Sequence, residues 1–96
     1  MVTEVRLTQQ ELAALSPEMA YRYARDVIKG PWPPGEPVIA TDPYWAYRYA
    51  NDIIQARWPP GEAVIATDPK WALKYFNWFQ KEFTEQERVF WLLRAS

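Results

Sequence analysis

The sequence predicts an all-α fold, a small solenoid-like stack in which short and long helices alternate through about three repeats and end in a C-terminal cap helix. Three observations predict it. Two 26-residue segments, EMAYRYARDVIKGPWPPGEPVIATDP (18–43) and YWAYRYANDIIQARWPPGEAVIATDP (44–69), agree at 18 positions, and a fixed period in this range marks stacked supersecondary units. An oxygen-bearing residue followed by proline recurs in register as Ser16-Pro17, Asp42-Pro43 and Asp68-Pro69, the pattern of a helix N-cap with proline at the first helical position. The apolar side chains after Asp42 sweep about 200° of a helical wheel, wider than the roughly 100° stripe of a helix with a single neighbour.

Taken in order, seven helices are expected. The first is short: TQQELAAL lies one period before the apolar end of the first corner and carries Thr8 and Glu11 as a capping box. Long helices then open at Pro17, Pro43 and Pro69. In the middle one, Trp45, Ala46, Tyr47, Tyr49, Ala50, Ile53 and Ile54 form the apolar arc, and Arg48, Asn51, Asp52 and Gln55 fill the remainder. Gly30 suits the end of the first long helix. The segments PPGEPVIAT and PPGEAVIAT are short and apolar enough to be strands, but their register with TQQELAAL favours short helices after a Trp-Pro-Pro corner. A third copy, KWALKYFNWFQKEF, starts at Lys70 and diverges, and TEQERVFWLLRA opens the cap with Thr84 and Glu87 as a second capping box. The repeat units run at about 8–33, 34–59 and 60–83, with the cap at 84–96, in one domain spanning 1–96.

Composition bounds the function. The chain has 96 residues, 49% hydrophobic and 17% aromatic, so one core is affordable and two are not. It contains neither cysteine nor histidine, which removes disulfides, thiolate chemistry, most zinc and haem ligation and the usual neutral-pH general base. With a net charge of −1, no bulk pull toward nucleic acid or anionic lipid is expected. No apolar run approaches the roughly 20 residues of a membrane span, and MVTEVRLTQQ lacks a signal-peptide core. A soluble, cytoplasmic protein is the expectation.

The strings WAYRYANDII, YRYARDVI and RWPPGEAVIATDP resemble a short helical repeat of uncharacterised proteins from bacteria, phages and large DNA viruses, over about residues 16 to 76. The resemblance brings no activity, and the third copy departs from the pattern at Leu73, Phe76, Trp78 and Phe79. It does make a phage-type inhibitor of a host protein one form the function takes.

Candidate residues follow from where the repeat is kept and where it breaks. Trp32 and Trp58 recur with the period and are assigned to packing at the corners. Arg22, Arg48 and Lys74 also recur, and form either an anion-binding ladder or local pairs with Glu18, Asp26 and Asp52. Tyr44, in a slot held by Glu18 and Lys70, is expected to be exposed. Trp78 replaces Asp26 and Asp52 beside Trp71, and is either covered by the C-terminal segment, the favoured reading, or offered to a partner. Val89 to Leu93 are consecutively apolar, so part of the cap faces water or a second chain. Glu36, Glu62, Asp42 and Asp68 are the carboxylates available to chemistry, but they read as first-turn acids and N-caps. The chain is therefore read as a non-enzymatic protein-binding module without cofactor or metal, contacting its partner through Tyr44, Trp71, Trp78, Phe79, Phe90 and Trp91. A nucleic-acid binder using the ladder, and a homo-dimer through the cap, are the alternatives.

Overall fold

The structure is a computed structural model and describes residues 9–95, the side chains of residues 9, 12 and 13 excepted. The described residues contain helices and no strand. They are α1 (Gln9–Ala14), α2 (Pro17–Tyr23), α3 (Glu36–Ile39), α4 (Pro43–Arg48), α5 (Pro59–Ile65), α6 (Pro69–Phe79) and α7 (Glu85–Arg94). The all-α expectation holds, and both PPGE segments are helical. Thr8, half of the first capping box, lies outside the described residues.

The helix starts form as the sequence dictates. The Ser16 hydroxyl accepts from the Met19 amide at 3.1 Å, Asp42 from Tyr44 and Trp45 at 2.9 and 3.1 Å, and Asp68 from Lys70 and Trp71 at 2.9 and 3.4 Å. Each cap satisfies orphan first-turn amides. The two corners differ at one residue. Pro37 has no N–H to give to an i−4 carbonyl, and the first corner opens as a 3-10 turn over Pro33–Gly35, with Glu36 N–H on the Pro33 carbonyl. Ala63 removes that restriction, and α5 runs unbroken from Pro59.

The helix ends differ from expectation. α2 and α4 each widen into a π turn, Ala24–Ile28 and Tyr49–Ile54, closed by Lys29 N–H to Ala24 O and Gln55 N–H to Ala50 O, both 2.7 Å. The left-handed residue that ends each is Lys29 (φ 63°) or Gln55 (φ 60°), and Gly30 does not have a positive φ. Gly30 is thus not the left-handed stop suggested for it; Lys29 takes that conformation, and the amides of Lys29 and Gly30 both bond the Ala24 carbonyl. In α6, Phe76 replaces the buried Ala24 and Ala50, and the helix continues without a π turn to Phe79 and a 3-10 turn over Gln80–Glu82.

Packing repeats with the sequence. Ala20, Ala46 and Ala72 are fully buried, as are Ile39 and Ile65. α4 packs against both α2 and α6, and α5 against α3, α4 and α6. The link between neighbours is a tyrosine. The Tyr49 hydroxyl accepts from the Trp32 amide at 2.8 Å and donates to Glu36 at 2.7 Å, while its ring packs on Trp58 at 4.7 Å. One period on, Tyr75 repeats the pattern with the Trp58 amide at 2.8 Å and Glu62 at 2.7 Å. Each tyrosine therefore ties its own helix to the preceding corner. The indoles of Trp32 and Trp58, nearly buried, lie on Gly35 and Gly61, where a Cβ would collide with the ring. The packing role assigned to both tryptophans is what the structure shows.

Replacing Tyr49 by Phe leaves the Glu36 carboxylate without its phenol and the Trp32 amide without its acceptor, and is expected to destabilise the protein by about 2 kcal/mol; urea unfolding measures it. By contrast, Gln55→Gly relieves a left-handed backbone at an exposed site, and is expected to stabilise by about 0.5–1 kcal/mol in the same assay.

Candidate protein-binding surface

The C-terminal third is built on a modified corner. Thr84 stands where Trp32 and Trp58 stand in the earlier copies, and it starts α7 instead of a Trp-Pro-Pro turn. The expected capping box is present: Thr84 Oγ1 accepts from the Glu87 amide at 3.2 Å, and Glu87 accepts from the Thr84 amide at 2.8 Å. Two features then clamp α7 to the body. Trp91, in the register slot of Ile39 and Ile65, is 2% exposed and packs on Tyr75 and Phe83 at 5.0 and 5.7 Å. Arg57 forms a double bond pair to Glu62 (2.9 and 3.0 Å) and another to Glu87 (3.1 and 3.2 Å), with its guanidinium 4.4 Å from the Phe83 ring centre.

With Trp91 turned inward, the opposite side of α7 shows apolar groups to water. Val89, Phe90, Leu92 and Leu93 are 55%, 42%, 52% and 66% exposed. Phe90 sets its edge on Trp91 and carries Arg94 4.7 Å above its ring. Trp78 is 64% exposed, so the C-terminal segment does not cover it, contrary to the favoured expectation. The reason is angular. At about 100° per residue, Trp78 lies roughly 110° from the centre of the α6 face made by Ala72, Tyr75, Phe76 and Phe79, which α7 and the core occupy.

The other expected contact residues divide. Phe79 and Trp91 are core residues, 5% and 2% exposed, and an intact fold cannot present them as anchors. Without a π turn, α6 carries Phe79 inward, although Val27, its first-copy equivalent, is exposed. Tyr44 is half-buried rather than exposed: its hydroxyl accepts from Arg48 at 2.6 Å, and its ring packs on Trp45 and Trp71 at 4.7 and 4.8 Å. Trp71, also half-buried, adds Tyr47 at 5.5 Å. These rings form a continuous aromatic row across α4 and α6.

The cationic residues are engaged with their own surroundings. Arg22 pairs with Glu18 at 2.6 Å. Arg48 donates to Asp52 at 2.7 Å, to Tyr44, and to the Tyr21 hydroxyl at 3.2 Å, and Tyr21 in turn donates to Asp52 at 2.5 Å. Burial and that carboxylate push the Tyr21 phenol above its ordinary range. Lys74 lies 6.0 Å from the Trp71 ring centre. Asp26, expected to pair with Arg22, instead takes Arg25 through two bonds of 2.7 and 2.9 Å, which hold its carboxyl below the usual range.

Sequence reasoning missed Arg57, because its slot holds Pro31 and Phe83 in the other copies and shows no period. It placed Trp91 on the surface although 39, 65 and 91 are one register series, a signal that adding 26 twice would have exposed. Asp42 and Asp68 cap helices as assigned, and Glu36 and Glu62 stand in first turns as assigned but also receive tyrosine hydroxyls, which the sequence did not indicate. Among the described residues no group of three or more His, Cys, Asp or Glu is arranged to hold a metal ion, and no helix is long and apolar enough to cross a membrane. Comparison with family models, with curated proteins and with solved structures finds no match.

The Thr84 amide and then Arg57 hold the Glu87 carboxyl below its ordinary 4.5. Its stabilising effect is therefore complete above about pH 4.5 and is lost as pH falls through the lower folded value. Thermal unfolding followed by tryptophan fluorescence should show a lower midpoint at about pH 3 than at neutrality. Glu87→Gln should lower the neutral midpoint and shrink that difference.

Proposed function

We propose that this chain is a non-catalytic protein-binding helical-repeat module, stacked as a short solenoid, whose contact surface lies in its C-terminal third. One observation carries the reading. Of the nine large hydrophobic side chains exposed among the described residues, six lie between Leu73 and Leu93: Leu73, Trp78, Val89, Phe90, Leu92 and Leu93. Exposed apolar side chains in this number within one stretch of the chain point to contact with another molecule, and tryptophan and phenylalanine are typical anchors there. Trp78 supports the reading most directly, since the repeat places an aspartate in its slot and the change turns a solvated position into an exposed indole.

Inhibition of a host protein in a cytoplasmic setting is one form of this binding that we propose. A protein partner is preferred to a nucleic acid because Arg48, the middle rung of the cationic row, spends its donors on Asp52, Tyr44 and Tyr21. A phosphate would have to displace those bonds.

The test is affinity capture from a bacterial lysate at moderate salt, comparing the native chain with Trp78→Asp and identifying retained proteins by mass spectrometry. One protein held by the native chain and lost by the variant, with helicity unchanged in circular dichroism, is the expected result. Equal retention by both would remove Trp78 as an anchor, and recovery of nucleic acid alone, released steeply by salt, would favour the cationic row.

A further inference from the structure

We propose that the outer face of α6 binds an acidic segment of a partner protein: one of its carboxylates takes on Lys74 and Tyr47 the place that Asp52 takes on Arg48 and Tyr21, and an apolar neighbour rests on Trp78. The inference rests on the reading of the C-terminal third as a protein contact and names the chemistry of that partner. Three observations lead to it.

The first is a constellation that the chain builds twice and completes once. Between α2 and α4, the Tyr21 ring packs on Trp45 at 5.2 Å and the Arg48 guanidinium lies 5.3 Å from the Tyr21 ring centre. Asp52 joins the two, accepting from Arg48 at 2.7 Å and from the Tyr21 hydroxyl at 2.5 Å. One period on, Tyr47 packs on Trp71 at 5.5 Å and Lys74 stands in the slot of Arg48. No carboxylate follows. α6 lacks the π turn on which Asp52 stands, so Asn77 or Trp78 comes nearest to its place, and neither is acidic.

The second is that the remaining groups lack a polar partner. Among the described residues the Tyr47 hydroxyl makes no hydrogen bond and Lys70 and Lys74 make no ion pair; their ammonium groups lie 4.9 and 6.0 Å from the Trp71 ring centre. The carboxylates nearby are engaged, Asp52 by Arg48 and Tyr21, and Asp68 by the amides of Lys70 and Trp71. Burial, and after it the charge of Asp52, push the Tyr47 phenol above its ordinary range, so it keeps its proton and stays a donor.

The third is alignment. Lys70, Lys74 and Trp78 follow one another at i, i+4 and i+8, and all three are exposed. At about 100° and 1.5 Å per residue they span roughly 80° of α6, form a stripe about 12 Å long, and are centred roughly 150° from the buried face. Two cations followed by an indole complement carboxylates followed by an apolar side chain. A nucleic-acid strand would need the cationic row to continue across the repeats, and there Arg48 and Arg22 are already paired with Asp52 and Glu18. A short acidic segment needs α6 and Tyr47 only.

The experiment is selection of random short peptides on the full chain at physiological salt, with affinities of the enriched sequences read by fluorescence anisotropy. Enrichment of Asp and Glu beside an apolar residue is expected. Lys70→Glu/Lys74→Glu should lose those peptides and keep its circular dichroism, and Lys74→Gln alone should weaken them by about three- to tenfold. Tyr47→Phe should weaken them by about threefold with an unchanged thermal midpoint, because its hydroxyl has no bond to lose within the described residues, whereas Tyr21→Phe should lower the midpoint. Peptides without acidic bias, acidic peptides indifferent to the two lysines, or no enriched peptide overturns the proposal. An oligouridine strand bound more tightly than the peptides through the same lysines overturns it in favour of phosphate, and an unmoved Tyr47→Phe affinity removes the phenol from the site. Lysate capture that needs Trp78 but ignores Lys70→Glu/Lys74→Glu leaves the general binding function standing and removes the acidic partner; lysine-dependent acidic peptides with no captured protein give the reverse.

Discussion

The hydroxyls of Tyr49 and Tyr75, one period apart, hold this architecture together. Tyr49 and Tyr75 each stand on a long helix, reach back to the preceding corner, and there satisfy a backbone amide that no helix can use and a carboxylate that sits in a first turn. The ring beneath that hydroxyl packs on the next aromatic corner: Tyr49 lies on Trp58, and Tyr75 lies near Phe83 and Trp91. A polar bond to one side and an apolar contact to the other make the same residue serve two interfaces. Burial, and after it the carboxylate, push both phenols well above the ordinary tyrosine range, which keeps the donor proton in place under all but strongly alkaline conditions.

The last repeat keeps this device and changes what surrounds it. Phe76 for alanine, Phe83 for the residue before the indole, and Trp91 for isoleucine fill the end of the core with rings at 5.0–6.1 Å separations. Arg57 then secures α7 by bridging Glu62 and Glu87, so a carboxylate already bound to Tyr75 also receives a cation. The first corner has no such bridge, since Pro31 occupies the equivalent slot. The surface of this end differs from the rest for the same reason: once large aromatics and an ion network close the core, the remaining apolar groups have only the outside to face.

Much of this was legible in the sequence. Period, caps, corners and the inward indoles of Trp32 and Trp58 are local chemistry repeated, and local chemistry is what letters record. The π turns were not, because a five-residue hydrogen-bond step depends on how Ala24 and Ala50 pack, and alanine announces nothing by itself. Tyr49 and Tyr75 read simply as apolar members of a helical arc; their hydroxyls acquire meaning only when a corner 13 to 17 residues away is placed beside them. Trp78 was seen as unusual, but its exposure turns on a face angle and on which side α7 approaches. Phe79 shows the limit of period arithmetic, since its equivalents lie on π turns that α6 lacks.

The tyrosine link also makes length an adjustable quantity. Every bond that Tyr49 forms begins and ends within its own unit and the one before it, and the residues that Tyr75 needs recur one period later. A further 26-residue cassette inserted between them would find both of its interfaces already specified. Growth by internal duplication is thus open to such a chain without redesign of any existing contact.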